Sequence, residues 1–146
     1  MFLNELNGQE AVAFINLVNQ FANIDEFFAK EEKELIKSYL EELNVERDKL
    51  NSLNYEEIIN ELKKGTNRVK SIVYFELVGL ALVDGEYGDR EIDFLDKIAV
   101  GLDIKRAKKI AFANYFFNFK DVYDFSVVES DSKIKLLKDE AELLLA

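Results

Sequence analysis

Five carboxylates at two helix-loop-helix corners are the residues of this sequence best suited to chemistry. The corner that follows the most apolar run of the chain carries Asp84, Glu86 and Glu91. A fainter copy of the same pattern carries Asp25 and Glu32. Clustered carboxylates repel one another, and a hard divalent cation such as Ca²⁺ or Mg²⁺ relieves that repulsion when oxygens bind it. The five residues are therefore candidate metal ligands.

The corner around Asp84 contains part of an EF-hand pattern. Asp84 and Gly85 are followed by Glu91, six residues after the glycine, as in the second half of a calcium-binding loop. Leu80 and Leu82 occupy the positions of the first and third ligands, and these apolar side chains cannot coordinate Ca²⁺. We therefore expect no EF-hand, and a cation site of another arrangement is one interpretation.

A purely structural interpretation of the same corner is also open. The carboxylate of Asp84 can accept hydrogen bonds from loop N–H groups, Gly85 can supply a positive φ, and Glu91 can reach back from the third helical position. Each such interaction stabilises a corner by about 1 kcal/mol. The spacing alone does not decide between capping and cation binding.

The composition restricts the chemistry further. The 146-residue chain has 19 Lys and Arg against 29 Asp and Glu, which gives a net charge of −10. This charge repels nucleic acids and anionic membrane surfaces, and it attracts cations and basic protein patches. The sequence contains no histidine and no cysteine. Their absence excludes disulfides, Cys/His zinc sites and Ser-His or Cys-His triads.

The sequence predicts a cytoplasmic protein. The first basic residue is Lys30, so the apolar N-terminal segment lacks the positive region of a signal peptide. The longest apolar stretch, 72–83, contains Glu76 and is too short to span a bilayer. We expect no direct membrane insertion and no nucleic-acid partner, whereas a protein partner or a homo-oligomer is compatible with the sequence.

The sequence favours an all-α fold. It has no proline and only six glycines, so helix-breaking residues are scarce. Apolar residues recur at three- and four-residue spacing, and no long stretch alternates with a period of two. The pattern predicts one domain, 1–146, of about seven helices, at about 8–23, 30–43, 54–64, 67–83, 89–102, 104–123 and 131–145.

Local signals predict how these helices begin and end. Asn7-Gly8-Gln9-Glu10 and Asn54-Tyr55-Glu56-Glu57 have the pattern of capping boxes. Gly65 is placed for a left-handed C-terminal cap, and Asp103 is placed for the N-cap of the sixth helix. On the fifth helix one apolar stripe is expected to face the core: Ile92, Leu95, Ile98, Ala99 and Leu102.

The predicted sixth helix combines a basic start with an aromatic continuation. Tyr115 and Phe117 project away from its main aromatic stripe. That stripe consists of four residues: Phe112, Phe116, Phe119 and Tyr123. Aromatic residues at this spacing favour a core position. Because they project from more than one side of the helix, they also suit a groove that binds a partner or a dimer interface. Four cations precede the aromatic residues: Lys105, Arg106, Lys108 and Lys109. They are compatible with a solvated helix end or with a contact to the acidic corner of another copy.

The chain contains a weak internal repeat. A shift of 59 residues overlays the first two helices on the central pair, with four identities: Ala22 and Ala81, Asp25 and Asp84, Glu32 and Glu91, Leu43 and Leu102. The repeat suggests a duplicated helical hairpin whose two most apolar helices pack together about a pseudo-twofold axis. In that arrangement the carboxylates of the two corners would converge.

The segment 81–95 resembles the hallmark loop of TerB-like domains, the family associated with tellurite resistance, in its Asp84-Gly85 pair and its Glu91. The resemblance implies an all-helical fold of two related hairpins over about 10–126, with acidic residues clustered in the loops and divalent cations as proposed ligands. It also implies a non-enzymatic binding or scaffold protein of a bacterial stress response. A metal-dependent enzyme that uses the clustered carboxylates is the alternative.

Overall fold

The computed structural model describes residues 2–24, 30–82, 89–122, 139 and 141–145. For residues 30–35, 82 and 117–122 it describes the helical backbone but not the side chains. All regular elements in these ranges are helical, which confirms the predicted all-α fold. They include two 3-10 helices, Leu3–Glu5 and Arg47–Lys49, and helical residues 141–145. The longer helices are α1 (Gly8–Ala22), α2 (Lys30–Leu43), α3 (Tyr55–Lys63), α4 (Asn67–Leu82), α5 (Asp89–Gly101) and α6 (Arg106–Val122).

Capping boxes start α1 and α3. At α1 the Asn7 carboxamide accepts from the Glu10 N–H at 2.8 Å, and the Glu10 carboxylate accepts from the Asn7 N–H at 2.9 Å. Asn54 and Glu57 make the same pair of bonds at α3, at 2.9 and 3.1 Å. Both predicted capping boxes are therefore confirmed. Each one satisfies two backbone donors that a helix start would otherwise leave without partners.

Two non-glycine residues in the left-handed region close α2 and α5. Asn44 and Asp103 have φ values of 54° and 57°. At the end of α5 the Ile104 N–H donates to Ala99 O at 2.8 Å, and the Asp103 N–H donates to Val100 O at 3.3 Å. These bonds form a Schellman motif. The prediction that Asp103 is the N-cap of the sixth helix is wrong, because the residue closes α5 and α6 begins three residues later.

Gly65 follows α3 without adopting the predicted left-handed conformation, so that prediction is also wrong. Lys64, the residue before it, has an ordinary helical φ of −71°. A Cβ atom at Gly65 would lie 2.5 Å from Glu10 Oε2 and 3.3 Å from Leu62 O. Glycine is needed at this position for space, because it lets the start of α1 approach the end of α3.

α1 and α4 form the centre of the core. α1 packs on α2 and α3, and α4 packs on α5 and α6. Every side chain from Ala13 to Val18 is buried on α1, and on α4 the buried residues include 71–75, 77, 78, 80 and 81. The two most apolar helices, α1 and α4, therefore supply much of the core, as their composition predicts.

Phe75 on α4 is the hub of an aromatic cluster. Its side chain is 2% exposed, and its ring centroid lies between 4.7 and 6.2 Å from four others: Phe2, Phe112, Tyr115 and Phe116. Tyr115 is buried within this cluster, so the prediction that it projects away from the main stripe is wrong. A Cβ atom at Gly79 would lie 2.9 Å from the Phe116 ring, so glycine allows α4 and α6 to approach closely. The side chains of three other predicted aromatics lie outside the described residues: Phe117, Phe119 and Tyr123.

The buried stripe of α5 is shorter than predicted. Four of its five residues are buried: Leu95, Ile98, Ala99 and Leu102. Ile92, the fifth, is 42% exposed, so this part of the prediction is wrong. Ile92 lies four residues before Asp96 and eight before Val100, and four-residue steps keep side chains on neighbouring positions of one helix face. It therefore shares the exposed face of these two residues.

The helix boundaries recur after 59 residues. α1 and α4 begin 59 residues apart, and so do α2 and α5. The left-handed residues Asn44 and Asp103 have the same separation. So do the N-cap residues Asn7 and Thr66, whose side chains accept from the N–H three residues further on at 2.8 and 3.1 Å. The boundaries agree with the shift found in the sequence.

Arg68 in the first turn of α4 connects both ends of the chain to this helix. Its Nε and Nη2 atoms donate to the two carboxylate oxygens of Glu5 at 2.6 and 2.9 Å. Its Nη2 atom also lies 2.7 Å from Glu142 Oε1, and its guanidinium carbon lies 5.8 Å from the ring centroid of Phe2. The hydrogen bonds from Arg68 lower the pKa of the Glu5 carboxyl below its usual value of 4.5.

We expect the ion pair between Glu5 and Arg68 to stabilise the protein at neutral pH and to lose this effect in acid. Because the pKa of Glu5 is lower in the folded chain, the contribution is fully present above the unfolded value of 4.5 and disappears as the pH falls through the folded-state pKa. Glu5→Gln should therefore reduce the Tm by about 2 °C at neutral pH and by less in strong acid. Thermal unfolding followed by circular dichroism at several pH values measures both effects.

Glu56→Gln is the matched control for this experiment, because Glu56 is an exposed carboxylate on α3. It should change the Tm by less than about 1 °C at every pH. Arg68→Lys keeps the positive charge but loses the two-pronged geometry, so it should resemble Glu5→Gln. If Glu5→Gln lowered the Tm equally at neutral and acidic pH, ionisation of Glu5 would not contribute to the stability of the fold.

Candidate functional site

The two acidic corners form the candidate functional site, and the helix ends beside them are in contact. α1 ends at Ala22, before the first corner, and α5 begins at Asp89, after the second. The ring centroids of Phe21 and Phe94 are 6.0 Å apart, and Phe21 is buried. The last turn of α1 and the second turn of α5 are therefore in contact.

Two of the five predicted ligands lie on described helices. Glu91 is the third residue of α5 and is half-buried. Glu32 is the third residue of α2, with its side chain outside the described residues, and Asp25, Asp84 and Glu86 lie outside them altogether. Within the described part of the chain, no group of three or more Asp, Glu, His or Cys side chains could hold a metal ion. The two glutamates occupy the same position in helices that begin 59 residues apart.

An aromatic contact holds α3 against α5 beside the site. The ring of Tyr55, the first residue of α3, lies 6.0 Å from the ring of Phe94, and Lys97 Nζ lies 4.0 Å from the Tyr55 centroid. Among the described residues no group hydrogen-bonds to the buried Tyr55 hydroxyl, and burial raises the pKa of the phenol. A phenol that stays protonated under an ammonium group has no acid–base role at neutral pH. The contact is therefore a packing feature.

A groove of about 550 Å³ opens between the starts of α1 and α4 and the end of α3. Its charged groups pair within the chain: Glu5 with Arg68, Glu61 with Lys64 at 3.4 Å, and Glu10 with a backbone N–H. The side-chain caps of α1 and α4 also occupy the backbone donors that would otherwise attract an anion. The groove is therefore a weaker candidate for ligand binding than the acidic corners.

Asn16 is a buried polar residue that the sequence analysis did not identify. It is 1% exposed, on the core helix α1. Its carboxamide donates to Lys49 O at 2.8 Å and accepts from the N–H groups of Ser52 and Leu53 at 2.8 and 3.0 Å. Asn16 therefore attaches the connection between α2 and α3 to the core. The signal that could have found it is a lone amide within the apolar run 11–18.

Comparison of the chain with protein-family models, curated proteins and solved structures finds no match. Among the helices that the structure describes, none is long and apolar enough to cross a membrane. The corners, the charge and the packing of the chain itself are therefore the features that indicate its function.

Proposed function

We propose that the chain is a TerB-like, non-enzymatic binding protein that holds a divalent cation, Ca²⁺ or Mg²⁺, between its two acidic corners. The ligands would come from Asp25 and Glu32 of the first corner and from Asp84, Glu86 and Glu91 of the second. Cation binding would join the corners and stabilise that end of the bundle. In this function the protein acts as a cation-responsive scaffold in a bacterial stress response of the tellurite-resistance type.

The contact between Phe21 and Phe94 is the observation that carries this proposal. Phe21 precedes Asp25 by four residues, Phe94 follows Glu91 by three, and the two rings are 6.0 Å apart. A segment of four residues spans at most about 14 Å. The contact therefore supports the proposal that both corners lie within reach of each other, as one shared acidic cluster requires.

The recurrence of the helix boundaries supports the duplicated architecture that the family resemblance implies. We infer that 8–63 and 67–122 are two related three-helix units, in which α1 corresponds to α4, α2 to α5, and α3 to the last nine residues of α6. The packing of α1 on α2 and α3 matches the packing of α4 on α5 and α6. A pseudo-twofold axis between the units would bring the two corners to the same end of the bundle.

The composition supports the chemistry of a hard cation. A net charge of −10 attracts cations, and a chain without histidine and cysteine offers oxygen ligands. Ca²⁺ and Mg²⁺ are bound in proteins through carboxylate and carbonyl oxygens and water. The same charge suits a basic surface on a protein partner of the scaffold.

Thermal unfolding in the presence of single divalent cations tests the proposal. We expect about 1 mM Ca²⁺, Mg²⁺ or Mn²⁺ to raise the Tm by roughly 5 °C, because a ligand at 100 times its Kd stabilises the folded state by about 2.7 kcal/mol. The double variant Asp84→Asn with Glu91→Gln should lose this shift, because it removes two carboxylates of the second corner.

Asp48→Asn with Glu56→Gln is the matched control. It removes the same number of carboxylates at exposed positions, one in the connection between α2 and α3 and one on α3. This control should retain the cation-dependent rise in Tm. The proposed site would be ruled out by a Tm that none of the three cations changes, or by a rise that persists in the Asp84→Asn, Glu91→Gln variant.

A further inference from the structure

Exposed apolar side chains lie on the outer sides of α5 and α6. Val100 is 78% exposed, Ile110 is 52% exposed and Ile92 is 42% exposed. On α5, four-residue steps separate Ile92, Asp96 and Val100, and on α6 the same step separates Arg106 from Ile110. Residues at this spacing lie on one helix face. Each helix therefore carries apolar and charged side chains on the same exposed stripe.

An ion pair joins the two stripes into one surface. Lys109 Nζ of α6 lies 2.7 Å from Asp96 Oδ1 of α5. Both helices pack on α4 and are joined by the short connection 102–105, and the ion pair brings their exposed sides together. We call this surface the α5–α6 face and define it by six residues: Ile92, Asp93, Asp96, Val100, Arg106 and Ile110.

Opposite charges occupy the two ends of the α5–α6 face. The first eight residues of α5 are acidic, with carboxylates at 89, 91, 93 and 96 against one cation, Arg90. The segment 105–109 has no acidic residue and contains four cations. Lys108 donates to Ser71 Oγ at 2.9 Å and Lys109 pairs with Asp96, whereas Lys105 and Arg106 are exposed. In the sequence the exposed Val100 lies between these regions, about 10 Å along α5 from Asp93. In a chain with a net charge of −10, this basic segment is a local exception.

We propose that the α5–α6 face binds the same face of a second copy of this chain in a twofold-symmetric dimer. A twofold axis near Val100 places the acidic end of one copy against the basic end of the other, and symmetry makes this contact twice. The same axis brings the two Val100 side chains together, with Ile92 and Ile110 at the sides. The face is therefore complementary to itself in charge and apolar at its centre.

Charge complementarity favours a second copy over other partners. A basic protein would meet repulsion from 105–109, and an acidic protein or a nucleic acid would meet repulsion from the carboxylates of α5. Pairing of the face with itself satisfies both ends at once. Dimerisation through this face does not require cation binding at the corners.

Sedimentation velocity over a range of protein concentrations tests the dimer. We expect the mass to rise from monomer to dimer between about 5 and 500 µM, the range in which small interfaces dissociate. Val100→Glu should weaken association by at least about 10-fold, because each copy then contributes a negative charge at the twofold axis of the proposed interface. Leu143→Glu is the matched control: Leu143 is also 78% exposed, so the variant adds the same charge elsewhere and should leave association unchanged.

A charge exchange tests the arrangement of the two copies. Arg106→Glu and Asp93→Arg, each alone, should weaken association about 10-fold, because each converts two attractive contacts into repulsive ones. An equimolar mixture of the two variants should recover the dimer, since opposite charges then face each other at both contacts. A chain that stays monomeric, a dimer insensitive to Val100→Glu, or a mixture that does not recover would overturn the proposal. A monomer would leave the face available to a different protein.

Discussion

Phe75→Ala should lower the free energy of unfolding by about 3–5 kcal/mol. The Phe75 side chain is 2% exposed and contacts rings from α6 and from the N-terminal segment. Its removal leaves a cavity between elements that cannot fully collapse onto one another. Urea unfolding followed by circular dichroism measures the loss. Because Phe2 packs on Phe75 with an edge-to-face geometry, the N-terminal segment should also exchange its amide hydrogens faster.

Two comparison variants separate the effect of this ring from the effect of losing any aromatic residue. Phe75→Leu keeps much of the volume and should cost about 1.5 kcal/mol. Phe94→Ala removes a ring from a half-buried position and should cost less than Phe75→Ala. The role of Phe75 as the hub of the cluster would be refuted if Phe75→Ala and Phe75→Leu lost the same stability.

The helices could be predicted from the sequence because the signals that define them are local. α2 spans Lys30–Leu43, the predicted range, and the other described helix starts lie within two residues of expectation. Capping boxes form between residues only three apart, so Asn7 and Asn54 carry their signals within one turn. The apolar spacing indicated which helices are buried because a helix with apolar residues around its circumference cannot face water.

The predictions for Gly65 and Asp103 are wrong for different reasons: a tertiary contact determines the role of Gly65, whereas the C-terminal cap of α5 competes locally with an N-cap at Asp103. The space beside Gly65 is filled by Glu10, which comes from a different helix. An aspartate before a polar helix start is typical of an N-cap. At Asp103 the Leu102 side chain is buried and the Ile104 N–H bonds back to α5, so the chain turns through the left-handed region instead. No pattern within a few residues of Gly65 reports its contact with Glu10.

The candidate site could be predicted in its residue types but not in its geometry. The two acidic corners are visible as Asp84-Gly85 and Glu91 and as the copy around Asp25. Which helix ends meet depends on packing between distant parts of the chain, as the contact of Phe21 with Phe94 shows. The outward position of Ile92 likewise depends on where α4 covers α5, which periodicity alone does not specify.

At one pair of equivalent positions the two proposed units make different interactions. Asn16 and Phe75 are 59 residues apart, and so are their partners Leu53 and Phe112. The same pair of positions holds a hydrogen bond to the backbone in the first unit and an aromatic pair in the second. The difference has a physical reason: the irregular connection 44–54 leaves backbone groups that need partners, whereas α6 satisfies its own backbone groups. An amide suits the first environment, and a ring suits the second.

Asn16→Ala should therefore lower the free energy of unfolding by about 2–4 kcal/mol. The substitution leaves the N–H groups of Ser52 and Leu53 without their acceptor beside the core, and it removes one of the two donors to the Lys49 carbonyl. Urea unfolding measures the loss. Asn60→Ala is the matched control, because Asn60 is an exposed asparagine on α3, and alanine there should be neutral or slightly stabilising.

Hydrogen exchange distinguishes attachment of the connection from general packing at Asn16. The amides of Ser52 and Leu53 donate to the Asn16 carboxamide, so they should exchange at least about 10-fold faster in Asn16→Ala than the global loss of stability explains. Amides in the middle of α4 should follow the global loss alone. Asn16→Leu fills the space without restoring the hydrogen bonds, and it should show the same selective exchange. If the leucine variant regained protection at Ser52 and Leu53, volume rather than hydrogen bonding would hold the connection on the core.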